Sequence, residues 1–153
     1  MSLSTTSAAN NILSAAAAYI FKQLGPAQTE AVYRKALAHE LTETYGWQCY
    51  QEVPVPLEFF SSCAIETNKP PLPLGVGFVD ICVYVPFDDG YLVYLLELKH
   101  IESLREIDSE QVKKYMKATV FHECIVGGYL VNFPKAPDGK TSVKFVQKPD
   151  LTF

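Results

Sequence analysis

Asp80, Glu97 and Lys99 are residues whose types and spacing could do chemistry in this chain of 153 residues. Glu97 and Lys99 fall in the run "GYLVYLLELK", residues 90–99. In alternation, Tyr91, Val93 and Leu95 point to one face of a strand, and Leu92, Tyr94, Leu96 and Leu98 to the other. Both faces are apolar, as in a buried central strand, yet Glu97 and Lys99 continue the first face. An unpaired buried carboxylate is costly; it is relieved by a shifted pKa, a partner charge or a metal. Asp80 repeats the problem as the only charge in "VGFVDICVYV". The turn "PFDDG" between these runs is an Asp-Gly hairpin signal, which sets Asp80 across the ladder from Glu97. Two facing carboxylates repel unless something positive lies between them. Hard oxygen ligands suit a divalent cation such as Mg²⁺ or Mn²⁺. Lys99 would partly offset the charge or hold a phosphate and an attacking water. The competing reading of Glu97 and Lys99 is a strand-end ion pair in a solvated notch.

The elements that must position these residues follow from periodicity and punctuation. Ser4, Thr5, Thr6 and Ser7 offer caps for a first helix, about residues 5–24, with Ile12, Leu13, Ala16, Ala17, Ile20, Phe21 and Leu24 as its apolar face. Gly25-Pro26 ends it and opens a second helix to about Tyr45, with Val32, Tyr33, Ala36, Leu37 and Leu41 inward and Gly46 closing it. A strand from about Gln48 to Phe60 follows. Its Pro54 and Pro56 cannot donate to a ladder, so it is expected near a sheet edge. "SSCAIETNKPPLPLG" reads as a long irregular loop, and the two strands of the hairpin come next. "SLREIDSEQVKKYMKATVFH" is a third helix beginning near Asp108 or Ser109; "CIVGGYLVNF" and the weaker "SVKFVQ" are the last strands. The order is helix, helix, three strands, helix, two strands: a mixed α/β sheet with helices on its faces.

Composition frames the function classes. The length fits a single domain over residues 1–153. The net charge of −4 offers no global attraction to nucleic acid or to an anionic membrane, so any polyanion site must be local. Cys49, Cys63, Cys82 and Cys124 form no Cys-x-x-Cys pair and read as reduced thiols rather than a disulfide or zinc framework. The apolar stretch Ile12 to Phe21 has no Lys or Arg before it and is too short to span a bilayer. With no signal peptide or transmembrane segment read, an intracellular location, cytoplasmic or nuclear, is expected.

Asp80 followed by Glu97-x-Lys99 on the neighbouring strand resembles the signature of the PD-(D/E)XK nuclease superfamily. "LGPAQTEAVYRKALAHEL" resembles the opening of its GxxExxY branch, through Gly25, Glu30 and Tyr33. Gly75, five residues before Asp80, and Leu98 between the acid and the lysine also match. "SEQVKKYMKAT" is similar to the branch's following helix, with Gln111, Tyr115, Lys117, Ala118 and Thr119 in place, and "GYLVNF" to its last core strand. The resemblance runs from about Leu24 to Phe133. Two departures are the segment 61–74, longer than the branch's short connection, and His100 in place of a small residue.

The resemblance implies a restriction-endonuclease-like core with an added N-terminal helix. In it Asp80, Glu97 and the Leu98 carbonyl would bind Mg²⁺ or Mn²⁺, with Glu30 as a further acidic ligand or water contact. Lys99 would stabilise or orient the nucleophilic water, and Gln111 would reach the site from the next helix. The reaction implied is metal-dependent phosphodiester hydrolysis on DNA. The partner would be nucleic acid at a local site and no membrane, with the oligomeric state, homodimer included, left open. The second reading is a non-catalytic interaction or structural module that keeps the fold.

Other side chains have plainer readings beside these. Glu30 suits a helix start by charge alone, and Gln111 and Tyr115, four apart, share a helix face that packs on the sheet. Tyr33 reads as core. His39, His100 and His122 lack ligand spacing. Lys113, Lys114 and Lys117 are diluted by Glu106, Asp108 and Glu110 into a solvated face.

Overall fold

The computed structural model describes residues 3–122 and 124–150. Five strands form one mixed sheet in the order β1-β2-β3-β4-β5: β1 (Gln48–Phe59), β2 (Leu72–Phe87), β3 (Gly90–Lys99), β4 (Ile125–Asn132) and β5 (Ser142–Gln147). β3 and β4 run parallel and all other neighbours antiparallel. A parallel pair needs a crossover, and the segment between β3 and β4 supplies it with α4 (Ser109–Lys117) and α5 (Thr119–His122). The expected restriction-endonuclease-like α/β arrangement, a mixed sheet flanked by helices, is present. Pro54 and Pro56 sit on β1, one of the two edge strands of the sheet, as expected.

Each face of the sheet has its own core. On one side α1 (Leu3–Leu24) and α2 (Glu30–Tyr45) bury Leu13, Ala17, Ile20, Tyr33, Leu37 and Leu41 against Ile81, Val83, Tyr94, Leu96 and Leu98. On the other, Val112, Tyr115 and Met116 of α4 pack on Val79, Cys82, Val93, Leu95 and Leu130. β3 thus has apolar side chains buried on both faces, as its sequence requires. Among the described residues no helix is long and apolar enough to cross a membrane.

Several boundaries differ from the sequence reading. Ser4 to Ser7 lie inside α1 rather than capping it, and Leu24 is exposed where the chain turns away at Gly25 (φ 72). α2 does not open at Pro26. It begins at Glu30, because Thr29 takes the cap position and its hydroxyl accepts the Val32 N–H at 3.3 Å. Val32 is exposed, lying off the stripe Tyr33, Leu37, Leu41. Gly46 closes α2 in the left-handed conformation (φ 74), as read.

The segment 61–74 is no irregular loop. Ser61 caps a short helix, α3 (Ser62–Thr67), by accepting the Ala64 N–H at 3.0 Å, and Asn68 closes it at φ 53. β2 has already begun at Leu72, so β1 and β2 extend as a long two-stranded arm. In the next hairpin the loop residues are Asp88 and Asp89; Asp88 takes the positive φ of 50, and Gly90 opens β3. The third helix is interrupted: Ala118 leaves the helical region at ψ 133. Its carbonyl accepts the N–H groups of Phe121 and His122, starting α5 and turning Phe121 into the core.

Candidate functional site

The hairpin register brings the two carboxylates together. Its last ladder pair is Ile81–Leu96, and beyond it side chains take over from the backbone. Asp80 Oδ2 accepts the Leu98 N–H at 2.7 Å, and Glu97 Oε1 lies 3.5 Å from the Asp80 N–H. In an extended strand the N–H and C=O of one residue point the same way. The Leu98 carbonyl is therefore directed toward Asp80, and the Lys99 carbonyl, on the opposite edge, accepts the Phe133 N–H at 2.9 Å.

Strand alternation slips at this point. The β1–β2 register passes from Gln51–Ile81 to Val53–Val79, with Glu52 and Asp80 between, and Glu52 takes φ 49. Val79 packs in the cluster beneath α4, whereas Ile81 packs beneath α1 and α2. A regular strand would keep both on one face. The slip sets Asp80 where the two cores meet, half-buried rather than fully enclosed.

Burial makes the pair electrostatically unfavourable. Glu97 is only 4% exposed. Burial first, then the Asp80 carboxylate, pushes its pKa up to about 8, against the Asp80 N–H and the Lys99 charge. Asp80 is also raised, mainly by burial; the Leu98 N–H opposes this, Glu30 adds to it, and Arg34 and Lys99 pull it back. A carboxylate whose proton affinity is raised by burial and by a second carboxylate beside it forms a site that a cation would relieve. The ion pairs among the described residues are Arg34–Glu52, Arg105–Asp108 and Lys113–Glu110. Glu97 and Lys99 form none, which counts against the strand-end ion pair. Lys113–Glu110 fits the solvated helix face.

The donor set fits a hard divalent ion: two carboxylates and a main-chain carbonyl, all oxygen. Among the described residues no three His, Cys, Asp or Glu side chains converge as a ready-made cage. A cation held here would complete its shell with water or phosphate oxygens. Glu30, exposed at the first turn of α2, acts on both carboxylates through its charge. Gln111 is exposed on α4, and its amide donates to the Tyr115 hydroxyl at 2.8 Å. The Tyr115 ring in turn lies where a side chain at Gly77 would be, 2.8 Å from that position.

The chain matches the PD-(D/E)XK nuclease superfamily over residues 7–145. It belongs to that superfamily. No curated protein matches it. Among solved structures, this PD-(D/E)XK chain is similar to one titled "Crystal structure of SSO0001". The identity is 15% and the TM-score 0.50, covering 77% of this chain and 50% of that one. The chain thus spans about half the length of that protein, and the likeness is one of fold.

Gly25, Glu30 and Tyr33 have a structural logic in this fold. Tyr33 is fully buried, stacks on Phe133 with ring centroids 4.3 Å apart, and donates its hydroxyl to the Gly25 carbonyl. It ties the α1–α2 turn to the sheet and so fixes where α2 and Glu30 begin. Its reading as core holds. Tyr33→Phe is expected to cost about 1 kcal/mol, the net worth of one hydrogen bond, and to lower the melting temperature by about 3 °C. An unchanged melting temperature would show that the clamp contributes nothing.

Arg34 was not anticipated. Its guanidinium holds Glu52 at 3.3 Å and Gln51 at 3.4 Å, and its charge reaches Asp80. The signal available was its position four residues after Glu30, on the same helix face. Asn132 was also missed. Buried at the end of β4, it brackets Ile101, accepting its N–H at 3.1 Å and donating to its carbonyl at 2.9 Å. His100, the residue departing from the branch's pattern, places Nδ1 2.7 Å from the Phe133 carbonyl and its ring 5.3 Å from Tyr33. These contacts secure the chain just past Lys99.

Proposed function

We propose that this chain is a metal-dependent nuclease of the GxxExxY branch, hydrolysing phosphodiester bonds in DNA. The observation that carries this reading is the pairing of buried Glu97 with half-buried Asp80 at the end of a hairpin ladder, with Lys99 two residues further along the strand. Asp80, Glu97 and the Leu98 carbonyl would hold Mg²⁺ or Mn²⁺, with Glu30 contributing at longer range. When bound, such an ion supplies an activated water and neutralises charge on the scissile phosphate. Lys99 presents an ammonium to the attacking water and the phosphate oxygens, where charge builds in the transition state. Gln111 steadies the substrate or water from α4 after exchanging its bond to Tyr115. DNA would approach through this local site, since the chain's net charge of −4 does not attract a polyanion as a whole.

The same acidic balance favours a second reading, an interaction or structural module that retains the nuclease fold. Incubation with single-stranded, double-stranded and branched DNA, with and without Mg²⁺ or Mn²⁺, separates the two. The expected result is cleavage that requires metal and is abolished by Glu97→Ala. Absence of cleavage of all three DNA forms with either ion would favour the module, and cleavage that survives Glu97→Ala would assign the activity elsewhere.

A further inference from the structure

Among the described residues three non-glycines take positive φ: Glu52, Asn68 and Asp88. Asn68 closes α3 and Asp88 lies in the hairpin loop, ordinary places for that conformation. Glu52 lies instead in the body of β1, at φ 49. A residue with a Cβ enters the left-handed region only at a cost, and stays there where its surroundings fix it. Both strands change face at this kink. Cys49, Ile81 and Val83 pack beneath α1 and α2, whereas Val53, Val55 and Val79 pack beneath α4. Between the pairs Gln51–Ile81 and Val53–Val79 the facing residues are Glu52 and Asp80. The strained residue therefore lies directly across the ladder from a carboxylate of the site.

Arg34 of α2 holds Glu52 in this conformation. Its Nη2 lies 3.3 Å from Glu52 Oε1, and its Nε donates to Gln51 Oε1 at 3.4 Å, so one guanidinium grips two successive residues at the kink. The planar fork suits this two-point grip, which a lysine ammonium would not reproduce. The Arg34 side chain is 14% exposed and that of Glu52 64%, so the cation lies inside and the acid outside. A guanidinium so engaged is not offered to a phosphate backbone. We propose that Arg34 is a positioning residue: by clamping β1 at Glu52 it holds Asp80 where its carboxylate accepts the Leu98 N–H and meets Glu97. The placement stands on geometry; its purpose, a metal site, rests on the nuclease reading. The charge of Arg34 also favours the ionised form of Asp80, the form that accepts an N–H most strongly. Without the clamp Glu52 relaxes toward ordinary strand geometry, and Asp80 swings off the Leu98 amide.

The test is amide hydrogen exchange at Leu98 in the metal-free full chain, read by NMR, together with Mn²⁺ affinity by calorimetry. Wild type is compared with Arg34→Met, Glu52→Val and the double variant Arg34→Met/Glu52→Gly. Arg34→Met removes the grip. Glu52→Val keeps Arg34 but puts a β-branched residue where positive φ is most costly. Each should speed Leu98 exchange by about fivefold or more, as for loss of one hydrogen bond, with the Leu95 and Leu130 amides unchanged. Mn²⁺ should bind about tenfold more weakly, the usual effect of removing a residue that orients a metal ligand. Glycine takes positive φ freely, so the double variant should regain Leu98 protection and Mn²⁺ affinity without the clamp. Glu52→Val remains informative if Arg34→Met fails to fold. Unchanged Leu98 exchange in the single variants overturns the inference. So does a loss that glycine fails to reverse, which would leave Arg34 acting through its charge or through the docking of α2. A wild type that binds no Mn²⁺ would count against the metal site of the proposed function, while Leu98 exchange would still decide the role of Arg34.

Discussion

Lys99→Met is expected to lower DNA cleavage by about a hundredfold or more while changing metal affinity only modestly. The size is that of losing one preorganised donor to transition-state charge. Methionine keeps the length and apolar stem of lysine, so the end of β3 should pack as before. In the proposed site Asp80 and Glu97 would still hold the ion, somewhat less stably paired because the Lys99 charge that lowers both their pKa values is gone. An interaction that matters mainly in the transition state affects the rate far more than binding. Metal affinity by calorimetry and single-turnover cleavage, measured on the same preparations, provide the two numbers. Equal cleavage by wild type and variant would remove Lys99 from the mechanism, and a parallel collapse of metal binding would recast it as a structural charge.

The second large effect is on stability against pH. Glu97 has its folded pKa raised to about 8 by burial and by Asp80, well above the roughly 4.3 of an unfolded glutamate. Its protonated form is therefore the one the fold favours. The contribution to stability is fully present below the unfolded pKa and is lost as pH rises through about 8. The loss is on the order of 5 kcal/mol at about 1.4 kcal/mol per pKa unit, and the raised pKa of Asp80 has the same sign. Metal-free protein should thus lose stability in denaturant titrations as the buffer moves from mildly acidic to mildly alkaline. Glu97→Gln keeps the acceptor for the Asp80 N–H and removes the charge. It should flatten the profile and be more stable than wild type at the alkaline end. Magnesium should restore wild-type stability there by binding the native state, and should do little for the variant. A flat wild-type profile, or a Glu97→Gln protein less stable than wild type in alkaline buffer, would refute the account of a strained acidic pair.

Much of the site was legible because its geometry is local. A short turn between two apolar runs sets the hairpin register, and register alone places Asp80 opposite Glu97, since each further residue advances both strands together. The same holds for the edge position of β1, announced by Pro54 and Pro56, and for the end of α2 at Gly46. These depend on φ restriction and missing donors, which are properties of single residues.

Other boundaries failed because competing local signals were close in strength. Gly25-Pro26 is a plausible helix junction, but the hydroxyl of Thr29 satisfies an orphan N–H and draws the start of α2 to Glu30. Ser61 does the same for α3, in a segment whose prolines and small residues read as loop. At Ala118, an alanine with every helical preference leaves the helix while Phe121 becomes buried, so packing overrides propensity.

By itself the sequence determined that the two hairpin strands pair, which end of the hairpin carries acid, and that Glu30 and Tyr33 belong near the start of α2. Only the tertiary structure decided how deeply Glu97 is buried, that Arg34 meets Glu52 beside Asp80, and that the arm face bearing Val76 and Phe78 stays uncovered. The reason is the range of the forces. Backbone sterics and turn chemistry act over a few residues, whereas desolvation and Coulomb interactions depend on surfaces that elements distant in sequence bring together. Helix α2 must dock on β1 before Arg34 can meet Glu52, and the helices must end where they do before one stretch of sheet is covered and the next is left exposed.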